Sequence, residues 1–175
     1  MRLHRSIERG PRQRGQSLVE FALVLIPALL LMLGTAQFGL MLGTQVGLTN
    51  TARDVARWAA TIPTATAAQA SANGTSAYNE MLTRLPANVP MYGVGNLKVP
   101  GSGVSYCSYT DPLGNPAVQL TVTVQYRHPL FFPLLSNILD GIDGDTDGAL
   151  TIGTTESMHV ENDSSAVISG LTTCP

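Results

Sequence analysis

From Phe21 to Gly43 no residue carries a charge. About 23 residues at a helical rise of roughly 1.5 Å cover about 35 Å, enough to cross a bilayer core with some tilt. Such a run can be a membrane anchor, a secretory signal that is removed, or a buried core helix. Its length and purity fit a core helix poorly. A secretory signal has a basic start, an apolar stretch of roughly 7–15 residues and a small-residue cleavage site. Gly34-Thr35-Ala36 supplies small residues, and cleavage there would start the mature chain at Gln37. The apolar run continues past that point through Phe38, Leu40, Met41 and Leu42, and no cysteine near it offers a lipoprotein anchor. It therefore reads as an anchor kept in the mature protein.

Charge sets the orientation. Arg2, Arg5, Arg9, Arg12 and Arg14 precede the run, opposed only by Glu8, and the next basic residue is Arg53. The positive-inside rule puts the N-terminus in the cytoplasm and the bulk of the chain outside. Residues 1–15 read as a basic cytoplasmic leader, 16–62 as a span (about 21–43) extended into a further helix, and 63–175 as an exported domain. Of the twelve acidic residues, all but Glu8 lie from Glu20 onward. The exported part is acidic, which argues against a nucleic-acid partner, since phosphate binding needs a basic footprint.

The extended helix shows in a stripe. Leu48, Ala52, Val55, Ala59 and Ile62 recur at i, i+4, i+7, i+11 and i+14, the apolar face of an amphipathic helix that Pro63 ends. Pro27 is expected to bend the span. Gly39, Gly43 and Gly47 repeat every four residues, a face on which two backbones can approach closely; the expected partner is another membrane helix. Asn73-Gly74 marks a turn, after which Thr75 or Ser76 is expected to cap a second helix that Pro86 stops.

From Met91 the pattern changes to β. Asn96–Val99 and Val104–Tyr109 are short strands, and Ala149–Val160 is another. The clearest strand is Ala117–Tyr126, where Val118, Leu120, Val122, Val124 and Tyr126 alternate with polar residues. A helix followed by an antiparallel sheet gives an α+β class, with the N-terminal transmembrane helix extended into an amphipathic helix packed on a small β-sheet domain. Cys107 and Cys174 both fall in the exported part, where an oxidising compartment allows a disulfide. It would close a loop of about 67 residues and contribute roughly 2–4 kcal/mol. Leu130-Phe131-Phe132-Pro133-Leu134-Leu135 reads as an apolar plug over the sheet, or as a contact with the membrane surface or with another protein component.

Chemistry is sparse. Asp143-Gly144-Asp145-Thr146-Asp147-Gly148 matches the first half of a calcium loop, in which Asp143, Asp145 and Asp147 would converge on Ca2+. The twelfth position should be a bidentate Glu and is Thr154, and no long amphipathic helix flanks the loop. A solvated acidic turn is the competing reading. No P-loop, G-x-S-x-G or H-E-x-x-H is present, so no enzyme or resident cofactor is expected.

Glu20 is a carboxylate at the edge of the span, and an ionisable group there needs a partner. A free amine at Gln16, made by cutting after Gly15, would be one. Here the residues meet a resemblance. Arg14-Gly15-Gln16-Ser17-Leu18-Val19-Glu20-Phe21 before an apolar helix resembles a type IV prepilin processing site. The segment Leu48-Thr49-Asn50-Thr51-Ala52-Arg53-Asp54-Val55-Ala56-Arg57-Trp58-Ala59-Ala60 resembles the motif of TadE/TadG-like proteins, pseudopilins of the tight-adherence (Flp) pilus machinery. The resemblance covers about residues 14–60. It implies cleavage between Gly15 and Gln16 by prepilin peptidase, and an assembly role for Glu20 and Phe21. It marks Asn50, Ala52, Arg53 and Arg57 as the family motif. It also implies a single-pass protein of the bacterial inner membrane with its C-terminal domain outside the cytoplasm, and pilins, pseudopilins or pilus platform proteins as partners. The alternative is a secreted or anchored calcium-dependent surface-binding module.

Overall fold

A computed structural model describes residues 12–64, 66–99, 103–132, 147–161 and 170–174. The expected leader up to residue 11, the apolar residues Pro133, Leu134 and Leu135, and Asp143 and Asp145 lie outside the described residues. The elements, in order, are α1 (Arg12–Ala60), α2 (Ala67–Asn88), a short 3-10 turn (Val94–Asn96), β1 (Leu97–Lys98), β2 (Val104–Thr110), β3 (Pro116–Pro129) and β4 (Ala149–His159). The class is α+β, with one helix long and apolar enough to cross a membrane. The chain divides into two compact units, Met1–Phe38 and Gly39–Pro175.

In the first unit, Leu18, Val19, Phe21, Leu23, Val24, Ile26, Leu31 and Met32 are all exposed. Helix α1 runs unbroken through Pro27. Apolar side chains this dense on an open surface suit a helix able to cross a membrane.

The second unit is built on β3. Antiparallel β4 pairs along one side of it, opposite residues Gln119–Pro129. Along the other side lie β2, opposite Pro116–Val122, and the two residues of β1, opposite Gln125 and Tyr126. The alternation in β3 does what a period of two requires. Val118, Leu120, Val122, Val124, Tyr126 and His128 are buried, and the residues between them are half-buried. The core also takes Leu48, Ala52, Val55, Ala56 and Ala59 of α1, and Ala70, Ala77, Met81 and Leu85 of α2. The predicted stripe on α1 therefore does face the sheet. Its last member, Ile62, lies beyond the helix, which ends at Ala60. The sequence boundary near Pro63 separates helix from domain. The compact unit instead begins at Gly39, because the second half of α1 supplies part of the core.

Helix α2 corrects the reading of its region. It begins at Ala67, capped by Thr66, whose hydroxyl accepts from the Gln69 amide at 3.1 Å. Asn73-Gly74 is not a turn but lies inside the helix, where buried Gly74 faces β2 at the Val104 carbonyl. Thr75 and Ser76 do not cap; their hydroxyls bond back to the Ser71 and Ala72 carbonyls. Pro86 does not stop the helix either, since in the last turn it removes only one bond. Local turn propensity lost here to the burial of one helix face.

A disulfide joins Cys107 to Cys174, with 5.0 Å between their Cα atoms. It brings the C-terminal segment against the outer edge of β2. The Ser108 amide donates to the Thr172 carbonyl at 2.9 Å, and the Cys174 amide to the Ser108 carbonyl at 3.0 Å. An edge that would otherwise present open backbone groups is thus covered.

Candidate functional site

The part of the chain that carries the candidate residues is α1, and its faces differ. At its start, the Gln16 side-chain amide donates to Glu20 Oε1 at 3.2 Å. The i, i+4 spacing puts the two on one face, and both are exposed. Phe21 is exposed beside them. A Cβ built at Gly15 or Gly39 meets nothing within 4 Å among the described residues.

The other two glycines of the four-residue repeat are not open. A Cβ at Gly43 would come within 3.2 Å of Pro90 Cγ. One at Gly47 would collide with the Asn88 carbonyl oxygen and lie 2.8 Å from its carbon. At Gly43 and Gly47 the face expected to seat a second membrane helix instead meets Pro90 and the Asn88 backbone, the segment just after α2 and its last residue. Small residues permit close approach of any backbone, and the spacing does not say which one comes.

Two buried threonines, seven residues apart on α1, fasten it to its neighbours. Thr44 Oγ1 donates to the Leu40 carbonyl at 3.0 Å, and Thr51 Oγ1 to the Gly47 carbonyl at 2.9 Å. Each hydroxyl hydrogen being committed to the helix, each oxygen accepts from outside. Thr51 takes the Asn88 amide of α2 at 2.8 Å. Thr44 takes His128 of β3, 3.1 Å away at Nδ1. That bonding assigns the proton of the neutral imidazole to Nδ1. Nε2 is then a buried acceptor with no partner. Burial lowers the His128 pKa below its usual value, because a charged ring would lose its hydration.

Next to this seam, Asn50, Arg53, Asp54, Arg57 and Asn88 line an open cleft of about 400 Å³. Arg53 Nε pairs with Glu156 Oε1 of β4 at 2.9 Å, and Asp54 stands 4.0 Å from Arg84 of α2, which is also bound to Glu80 at 2.8 Å. Arg57 is exposed and has no ion-pair partner among the described residues. Of the four motif residues singled out in the sequence, Asn50, Arg53 and Arg57 thus come together at one cleft, while Ala52 turns into the core. Asn88, Thr44, Thr51 and His128 were missed. The i, i+7 spacing of the two threonines on the apolar stripe was a legible signal. Nothing in the sequence marked Asn88.

Asp147 is the one member of the acidic triplet within the described residues. Its carboxylate pairs with Arg127 and also accepts from the Ala149 amide at 3.0 Å. Those contacts hold it at the start of β4, and no cluster of metal-binding side chains forms among the described residues.

These features define a class: a small α+β domain carried on a helix long and apolar enough to span a membrane. Within it, residues 15–57 match the family model of TadE-like proteins, so the chain carries a TadE-like segment from the open start of α1 to the cleft arginines. No curated protein and no solved structure matches the chain.

Proposed function

We propose that this chain is a single-pass, inner-membrane pseudopilin that acts in assembly of a tight-adherence (Flp-type) pilus or a related secretion machine, as a structural component and not as an enzyme. The observation that carries this reading is the coincidence of the TadE-like match over residues 15–57 with a helix that is exposed and apolar in its first half. Its N-terminus faces the cytoplasm and its α+β domain lies outside. Prepilin peptidase cuts between Gly15 and Gln16. Glu20, one turn from the new α-amine, then neutralises that amine or the one on a neighbouring subunit. An ammonium and a carboxylate at the membrane edge each cost desolvation energy alone, and that cost is offset when they pair. Lateral contacts are made through the exposed part of α1, with pilins, pseudopilins or platform proteins as partners.

The test is the mature N-terminus of the membrane-purified protein, with and without the peptidase. A start at Gln16 that depends on the peptidase is expected. A start at Gln37 would reveal a cleaved secretory signal and remove the anchor. Glu20→Ala is expected to leave membrane integration intact and to reduce recovery of the chain with pilus components. Undiminished pilus assembly in that variant would exclude the role given to Glu20.

A further inference from the structure

Outside α1, the exposed large apolar side chains of the second unit are Met91, Val94, Leu113 and Phe131 among the described residues. Leu113 stands apart, in the turn between β2 and β3. The other three belong to two segments that reach the end of the uncharged run. Gly39–Gly43, the last part of that run, belongs to the second unit. Pro90 packs on Gly43, and Met91 follows it. His128 bonds Thr44, and its ring meets that of Phe131 edge-on with centroids 6.4 Å apart. Both neighbours of the run's end are thus apolar and open: Met91 is 56 % exposed, Val94 74 % and Phe131 44 %.

These side chains are held in place. Tyr126, fully buried at the end of β3, donates its hydroxyl to the Met91 carbonyl at 3.2 Å and accepts from the Gly93 amide at 2.9 Å. Tyr92 stacks on the Tyr126 ring at 5.9 Å. The segment that displays Met91 and Val94 is therefore pinned to the same strand end that carries His128. The charge on β3 next to His128 is Arg127, and it is paired with Asp147, just before β4. Apolar and aromatic groups without net charge, beside the exit of a span, suit the boundary between headgroups and acyl chains.

We infer that Met91, Val94 and Phe131 form a collar around the end of the span that enters the bilayer interface and seats the exported domain on the lipid surface. This rests on the membrane anchoring proposed above. The collar's occupant is the lipid of the membrane that α1 crosses. The β2–β3 turn lies at the opposite end of β3 from the collar. From Pro116 to His128 a strand rises by roughly 40 Å, which puts Leu113 far from lipid.

The chain has a single tryptophan, Trp58, so depth can be read from a relocated one. In a Trp58→Phe background, Phe131→Trp, Val94→Trp and Leu113→Trp are made in the full chain and reconstituted in phosphatidylcholine–phosphatidylglycerol nanodiscs. Lipids brominated near the headgroup end of the acyl chain are expected to quench emission of the first two variants by at least about twofold, and the Leu113→Trp variant hardly at all. Equal quenching in all three variants, in protein that resists carbonate extraction, overturns the collar and leaves the anchor standing; the rim then faces water or another protein. Extraction by carbonate overturns both.

Discussion

Helix α1 is one element with two surfaces. Over its first half Leu23, Ile26 and Leu31 are exposed; over its second half Leu48, Val55 and Ala59 are wholly buried. Residue types are similar and helical geometry is the same, yet one half shows its apolar side chains all round and the other turns a single stripe to a sheet. From Phe21 onward the first half carries no charge, whereas the second alternates its stripe with Asn50, Arg53, Asp54 and Arg57. A helix uniformly apolar needs an apolar surrounding, and a striped one needs only a packing partner. The difference separates a stretch long and apolar enough to cross a membrane from a core element within one continuous helix.

The sharpest way to break this comparison is to truncate one leucine in each half. Leu48→Ala empties a buried site and is expected to cost about 2–5 kcal/mol of domain stability. Leu31→Ala should change it by less than about 0.5 kcal/mol, since an open position loses no packing. Thermal unfolding of both variants in one detergent is the measurement, and equal losses would erase the distinction.

A smaller effect separates the glycines. At Gly47 a methyl group would collide with the Asn88 backbone, which cannot swing aside, so Gly47→Ala should destabilise by about 1–3 kcal/mol. At Gly39 the space is open, and Ala is the better helix former by up to about 1 kcal/mol. Gly39→Ala is therefore expected to hold or slightly raise the melting temperature. If it lowers pilus assembly while keeping the fold, the open glycine serves an external partner; a lowered melting temperature instead would place Gly39 in the packed half.

The smallest effect concerns acid. His128 has a folded pKa below its usual 6.5, because burial disfavours the charged ring. Above the unfolded value the ring is neutral in both states, and its Thr44 bond is intact. As pH falls below about 6.5 the unfolded chain takes the proton first, so stability declines toward the folded pKa and then levels off. Melting temperatures between roughly pH 7 and pH 5 should fall more for the native chain than for His128→Gln. Parallel curves would mean that the seam between α1 and β3 does not sense protonation.

Much of this architecture was readable in advance, for reasons specific to each element. The alternation of Val118, Leu120, Val122 and Val124 left β3 no other way to bury one face. The stripe from Leu48 to Ala59 named the packed side of α1 because its period is that of a helix. Helix α2 was misread at both ends. Asn73-Gly74 and Pro86 are strong local signals, but Ala70, Gly74, Ala77, Met81 and Leu85 line up as one buried face only once a sheet lies against them. The candidate cleft was half legible: Asn50, Arg53 and Arg57 share a sequence motif, whereas Asn88 and Glu156 come from elements distant in the chain.

The sequence by itself determined where the chain is uncharged, which strand is central, and which residues carry the TadE-like pattern, because each depends on near neighbours. Only the tertiary structure decided that Gly43 and Gly47 receive Pro90 and the Asn88 backbone, that Thr44 and Thr51 fasten the helix to His128 and Asn88, and that Tyr126 holds the segment after Pro90 while His128 meets Phe131. Those outcomes depend on which backbones approach which, and a period or a motif records only that an approach is possible.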